Sequence, residues 1–86
     1  MASLVDVVNH TATGGIDQID IPYACSVTIR GRSGAVLVYD SATGTDYATI
    51  PLNASLSIDT HNMKGDELFL KGGNGEVIEI IYQVRR

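Results

Sequence analysis

The chain is short of most of what small proteins use to hold themselves together or to do chemistry. It has a single cysteine, Cys25, among 86 residues. No internal disulfide can form, which excludes the stapled scaffolds typical of small secreted domains. Tryptophan is absent, and the aromatics are four tyrosines and Phe69. Stacking platforms for bases or sugars are therefore scarce. Six lysines and arginines face ten acids, for a net charge of −4. Nucleic-acid binding draws most of its affinity from phosphate neutralisation, so an acidic chain argues against it. No stretch approaches the ~20 apolar residues of a helical membrane span. Residues 1–6 lack the basic segment and apolar run of a secretory signal, so the expected site is a reducing compartment, or a particle assembled there.

The residues that could carry chemistry do not converge. The two histidines, His10 and His61, sit in polar loop strings, and Cys25 lies on an apparent inward strand face. A zinc site would need all three unrelated segments to meet, whereas a lone inward cysteine behaves as a small hydrophobe. Residues 40–46 read Asp-Ser-Ala-Thr-Gly-Thr-Asp, with carboxylates at both ends. They lack the alternating acids and terminal Glu of a calcium loop. Gly72-Gly73-Asn74-Gly75 has no following Lys-Ser/Thr or helix, so it is a turn rather than a phosphate cradle. Ser33, Ser41, Ser55 and Ser57 have no nearby histidine on a nucleophile elbow. Glu79 has no specific partner for glycoside hydrolysis. The expectation is a protein with no cofactor, no metal and no enzymatic activity.

What the chain does have is alternation. Leu68 and Leu70 alternate with Glu67, Phe69 and Lys71. Ile78, Ile80, Tyr82 and Val84 alternate with Val77, Glu79, Ile81 and Gln83. A period of two puts each set on one face of a sheet. With glycines and asparagine between them, the two runs are expected to form a β-hairpin that anchors the core. Upstream, residues 4–8 read as a strand or arm, and residues 16–21 as a short strand with Ile19 and Ile21 inward. Residues 25–30 point Cys25, Val27 and Ile29 inward. Residues 35–40 are apolar on both faces, the pattern of a central strand, and Val36 and Val38 are assigned to its outer face. Residues 47–52 end at Pro51, which implies an edge position. Residues 55–58 point Leu56 and Ile58 inward. Turn residues recur about every eight to twelve positions, and no helical period is sustained beyond a possible single turn between Asn62 and Asp66. The fold class is all-β: a small antiparallel β-sandwich or barrel of seven to eight short strands. It forms one domain over residues 1–86, with residues 1–10 as an N-terminal arm or edge strand.

Residues 26–31, 34–39, 47–52 and 67–72 carry a strand–turn rhythm that resembles small β-rich virion proteins of tailed bacteriophages, the head-decoration or cement proteins. The likeness spans residues 26–82. It implies a structural role, with copies on the capsid surface bridging subunits of the major capsid protein, often around local three-fold positions. A homo-oligomer, with a trimer foremost, and synthesis in a bacterial cytoplasm follow from it. The group shares no catalytic residues. The residues themselves supply candidate contacts. Leu4, Val5, Val7 and Val8 form an apolar segment able to add a strand to a neighbour. Val77 and Ile81 are apolar on a nominally outer face. Arg85 and Arg86 are either solubilising charge or docking points for an acidic surface. The alternative reading is a carbohydrate- or receptor-binding β-module of a phage tail, fibre or neck, motivated by the four tyrosines and the loop at 41–46.

Overall fold

A computed structural model describes residues 5–21, 26–59 and 66–83. Leu4, Cys25, His61, Arg85 and Arg86, and the turn expected after Asn62, lie outside the described residues. Eight strands follow one another: β1 Val5–Thr11, β2 Asp17–Ile21, β3 Ser26–Gly31, β4 Val36–Tyr39, β5 Tyr47–Ile50, β6 Leu56–Asp59, β7 Asp66–Lys71 and β8 Val77–Gln83. There is no helix among the described residues. The protein is all-β, as its alternating sequence predicts.

The strands form two four-stranded sheets, β1-β8-β3-β6 and β2-β7-β4-β5, called here sheet A and sheet B. Every pairing is antiparallel, and the pairings are nested: β1 with β8, β2 with β7, β3 with β6, β4 with β5. The chain is thus one long antiparallel ribbon, folded at the β4–β5 tip and rolled so that β8 also meets β3 and β7 also meets β4. That is the jelly-roll architecture of two facing sheets.

The expected hairpin between β7 and β8 does not form. β7 lies in sheet B and β8 in sheet A, so residues 72–76 cross from one sheet to the other. Gly75 takes a φ of 85° there, and the turn closes through Glu76 N–H donating to the Gly73 carbonyl at 2.9 Å. The inward row is nevertheless the one the alternation predicts. Leu68, Leu70, Ile78, Ile80 and Tyr82 are all buried, but from opposite walls of one core.

Ile19, Ile21, Val36 and Ile50 join that core from sheet B, and Val27 and Ile29 from sheet A. Each such aliphatic side chain, fully buried, contributes about 1.5–3 kcal/mol. Val38, Leu56 and Ile58 pack around the rim. Val36 and Val38 therefore belong to the inner face of β4, not the outer one, because the strand is apolar on both faces and its parity is set by pairing. Val36 opposes buried Ile50, which leaves Leu37 and Tyr39 outside. β5 is a sheet edge, with Pro51 following it directly, as expected of a residue that cannot donate to a ladder.

Candidate functional site

Each sheet presents an outer face and two edge strands, β1 and β6 in sheet A and β2 and β5 in sheet B. On sheet A the register places Val5, Val7, Asn9 and Thr11 of β1 beside Gln83, Ile81, Glu79 and Val77 of β8. β8 buries its alternate residues, so these positions face outward. Val5 and Val7 are 42% and 61% exposed, while Val77 and Ile81 are half-buried. Val8, of opposite parity, is still 41% exposed, because β1 is the rim of the sheet. The structure thus brings Val5, Val7, Val77 and Ile81 onto one face and leaves Val8 at the sandwich opening. β1 is a docked strand rather than a free arm over the described residues, and it runs on through Thr11. Beyond Val7 and Ile81 the same row continues with Thr28 and Ser57, whose hydroxyls are 3.0 Å apart.

Glu79 is occupied. Arg30 Nε lies 3.2 Å from one carboxylate oxygen and Arg32 Nε 3.0 Å from the other. These exposed pairs are individually weak, and they tie Arg30 and Arg32 to the protein's own surface through Glu79.

At the β1–β2 corner, Asp17 gathers a small network. Thr13 Oγ1 donates to Asp17 Oδ1, and Thr13 N–H donates to Oδ2 at 3.1 Å. His10 Nε2 sits 2.9 Å from Oδ2. Partial burial pushes the Asp17 pKa up, but the hydrogen bonds from Thr13 and His10 outweigh it and hold the carboxyl below its ordinary value. The network joins β1 of sheet A to β2 of sheet B and is a structural clasp. No group of three or more histidine, cysteine or acidic residues able to hold a metal occurs among the described residues.

Sheet B carries the arrangement that sequence reading missed. Gln18 opposes Phe69, Phe69 opposes Tyr39, and Tyr39 opposes Tyr47. The neighbours Ile19, Leu68, Leu70, Val36 and Ile50 are buried, so this row lies on the outer face. Three aromatic side chains thus stand in register across β7, β4 and β5. The Tyr39 and Tyr47 ring centroids are 5.4 Å apart, tilted by 43°. Tyr47 is 56% exposed. Beside them is an open hollow of about 360 Å³ lined by Val38, Tyr39, Asp40, Asp46, Tyr47 and Ala48. The Asp40 carboxylate folds back over Gly44, where an added Cβ would come within 2.6 Å of Oδ1 and displace it. No local pattern signals the row, since its members come from three strands whose partners are set by the rolled topology.

A second hollow, about 420 Å³, opens where the β1–β2, β3–β4 and β7–β8 loops meet, between Gly14, Leu37, Lys71 and Asn74. Gly14, Gly72 and Gly73 share its walls with Ala35, Leu37, Lys71 and Asn74. The loops are bound to one another there by Ala12 N–H to Glu76 O and Gly75 N–H to Ala12 O, each 2.8 Å.

Comparison with protein-family models, with curated proteins and with solved structures returns no match for this chain.

Proposed function

We propose that the protein is a non-enzymatic structural component of a virion, which decorates the head of a tailed phage and reinforces the lattice of its major capsid protein. The observation that carries this reading is the valine-rich rim of sheet A. Val5, Val7 and Val8 are exposed, and β1 is an edge strand of sheet A among the described residues. A long apolar edge is a liability in a free protein and is normally blunted. It is an asset if a neighbouring chain covers it by strand addition, with the Val7–Ile81 strip packing alongside. The strand–turn rhythm shared with head-decoration proteins supports the same reading, and jelly rolls recur among capsid and lectin domains. Weak contacts of this size suffice when many copies bind one lattice, or when a homo-oligomer such as a trimer presents several edges at once.

The test is cosedimentation of purified protein with expanded capsids that lack it. The protein is expected in the capsid pellet, and Val7→Asp, which places a charge in the strip without touching the core, is expected to leave it in the supernatant. Wild-type protein that stays wholly in the supernatant would end the proposal.

A further inference from the structure

We infer that the aromatic row on sheet B is a binding platform for a short neutral oligosaccharide. The inference is independent of the capsid reading, since it concerns the opposite outer face of the sandwich. Three of the chain's few aromatic side chains, Phe69, Tyr39 and Tyr47, occupy consecutive register positions on that face. Strands in a sheet are ~4.8 Å apart, so the row is longer than a single ring and suits an extended ligand. Sugar rings present apolar C–H faces flanked by hydroxyls. A site that fits them combines aromatic faces with a few placed polar groups.

The polar groups are present at the same end of the row. Asp40 and Asp46 border a hollow at the open end of β4 and β5, which Tyr39 and Tyr47 of the row line together with Val38 and Ala48 of the opposite parity, and carboxylates accept hydrogen bonds from sugar hydroxyls. Gln18 closes the other end of the row opposite Phe69. The charge selects among sugars. No lysine or arginine lines the hollow, and on the outer face Lys71 is outnumbered by Asp20 and Glu67, so the net negative charge disfavours uronic and sialic acids and admits neutral sugars. A sister copy is a poor occupant. Strand addition at β5 meets Pro51 at its end, a residue with no N–H to give a ladder, and a tyrosine row carries hydroxyls that a dry self-interface would have to satisfy.

The two outer faces of a sandwich point in opposite directions. A copy held to a lattice by sheet A would therefore display sheet B to the surroundings, and glycan capture and lattice binding can operate together.

The experiment is a glycan array probed with the full chain, carrying neutral gluco-, galacto- and manno-oligosaccharides alongside sialylated and uronic ones. The strongest neutral ligand is then titrated by calorimetry, with tetramethylammonium titrated as a cationic comparison. Binding to neutral oligosaccharides is expected, with at least a tenfold loss of affinity in Tyr47→Ala, retention in Tyr47→Phe, and no change in Val7→Ser on sheet A. Circular dichroism melts of each variant separate loss of binding from loss of fold, and Tyr47, being exposed at an edge, is expected to leave the melt unchanged. The inference is overturned if no neutral oligosaccharide binds, if Tyr47→Ala binds as well as wild type, or if tetramethylammonium alone binds.

Discussion

Replacing Asp17 by alanine tests whether the corner clasp holds the two sheets together. The carboxylate accepts from the Thr13 amide at 3.1 Å, from the Thr13 hydroxyl, and from His10 Nε2 at 2.9 Å. Hydrogen bonds to a charged group contribute about 1.5–3 kcal/mol each when well formed. The Asp17 side chain is only 12% exposed but its His10 partner is 28% exposed, so solvent screening cuts the sum. A net loss of about 2 kcal/mol is expected. For a domain of this size that lowers the melting temperature by roughly 8–16 °C. The pH profile fixes the cause. The folded-state pKa of Asp17 is depressed, so its contribution is fully present above the unfolded carboxylate value of about 3.9 and is lost as pH falls through the lower folded value. Thermal melts of wild type and Asp17→Ala, followed by circular dichroism, should therefore differ most near neutrality and converge in strong acid. His10→Gln retains a side-chain donor without titrating, and should keep the same acid convergence when compared with its own Asp17→Ala double variant. A melting temperature within about 2 °C of wild type at neutral pH, or a gap that does not narrow as pH falls from neutrality into strong acid, would refute the clasp.

Substitutions at three further positions probe the frame. Leu70→Ala removes a fully buried side chain of sheet B and is expected to cost about 2–5 kcal/mol, read as a shift in the urea midpoint at constant slope. Gly31→Ala would drive its Cβ onto the Gly34 carbonyl oxygen, with Val36 Cγ2 only 3.1 Å away. Because the first obstacle is backbone, poor soluble expression or a loss of several kcal/mol is expected, on the order of the overpacking penalties of cores. Asn53 takes a φ of 71° in a turn closed by Ala54 N–H donating to Pro51 O at 3.1 Å. Asn53→Gly should be close to neutral and Asn53→Ala should cost about 1 kcal/mol, a difference that paired melts resolve.

Which residues face the core was written in the sequence, and which strands touch was not. Period-two alternation identifies Val27, Ile29, Leu68, Leu70, Ile78 and Ile80 as inward, because one buried face is all that such a pattern encodes. It cannot say whether two inward rows lie in one sheet or on facing sheets. Gly72-Gly73-Asn74-Gly75 permits either a tight reversal or a crossover. The crossover wins because β8 finds its hydrogen-bond partners in β1 and β3, and β7 finds its own in β2 and β4. Asn9, His10 and Thr11 read as loop because they are polar, yet β8 supplies them with ladder partners in Glu79, Ile78 and Val77. Val36 and Val38 were assigned outward because apolar neighbours on both parities hide the parity. The valines of β1 were legible as an extended apolar segment, and the structure shows them as exposed residues of an edge strand. The Phe69–Tyr39–Tyr47 row was not, because it exists only once three long-range registers are fixed.

The nesting of the strand pairs also orders events in time. The innermost pair, Tyr39 with Tyr47, is separated by one short loop, whereas the outermost, Val5 with Gln83, spans nearly the whole described chain. Local pairs close quickly and distant ones slowly. On a ribosome β1 is translated well before β8, its partner, so the strand richest in exposed valine cannot pair with β8 until the six strands between them have been made. During that interval it is the segment most open to mispairing with another nascent chain. Synthesis rate and local chaperone supply should therefore govern the yield of folded protein more strongly than its final stability does.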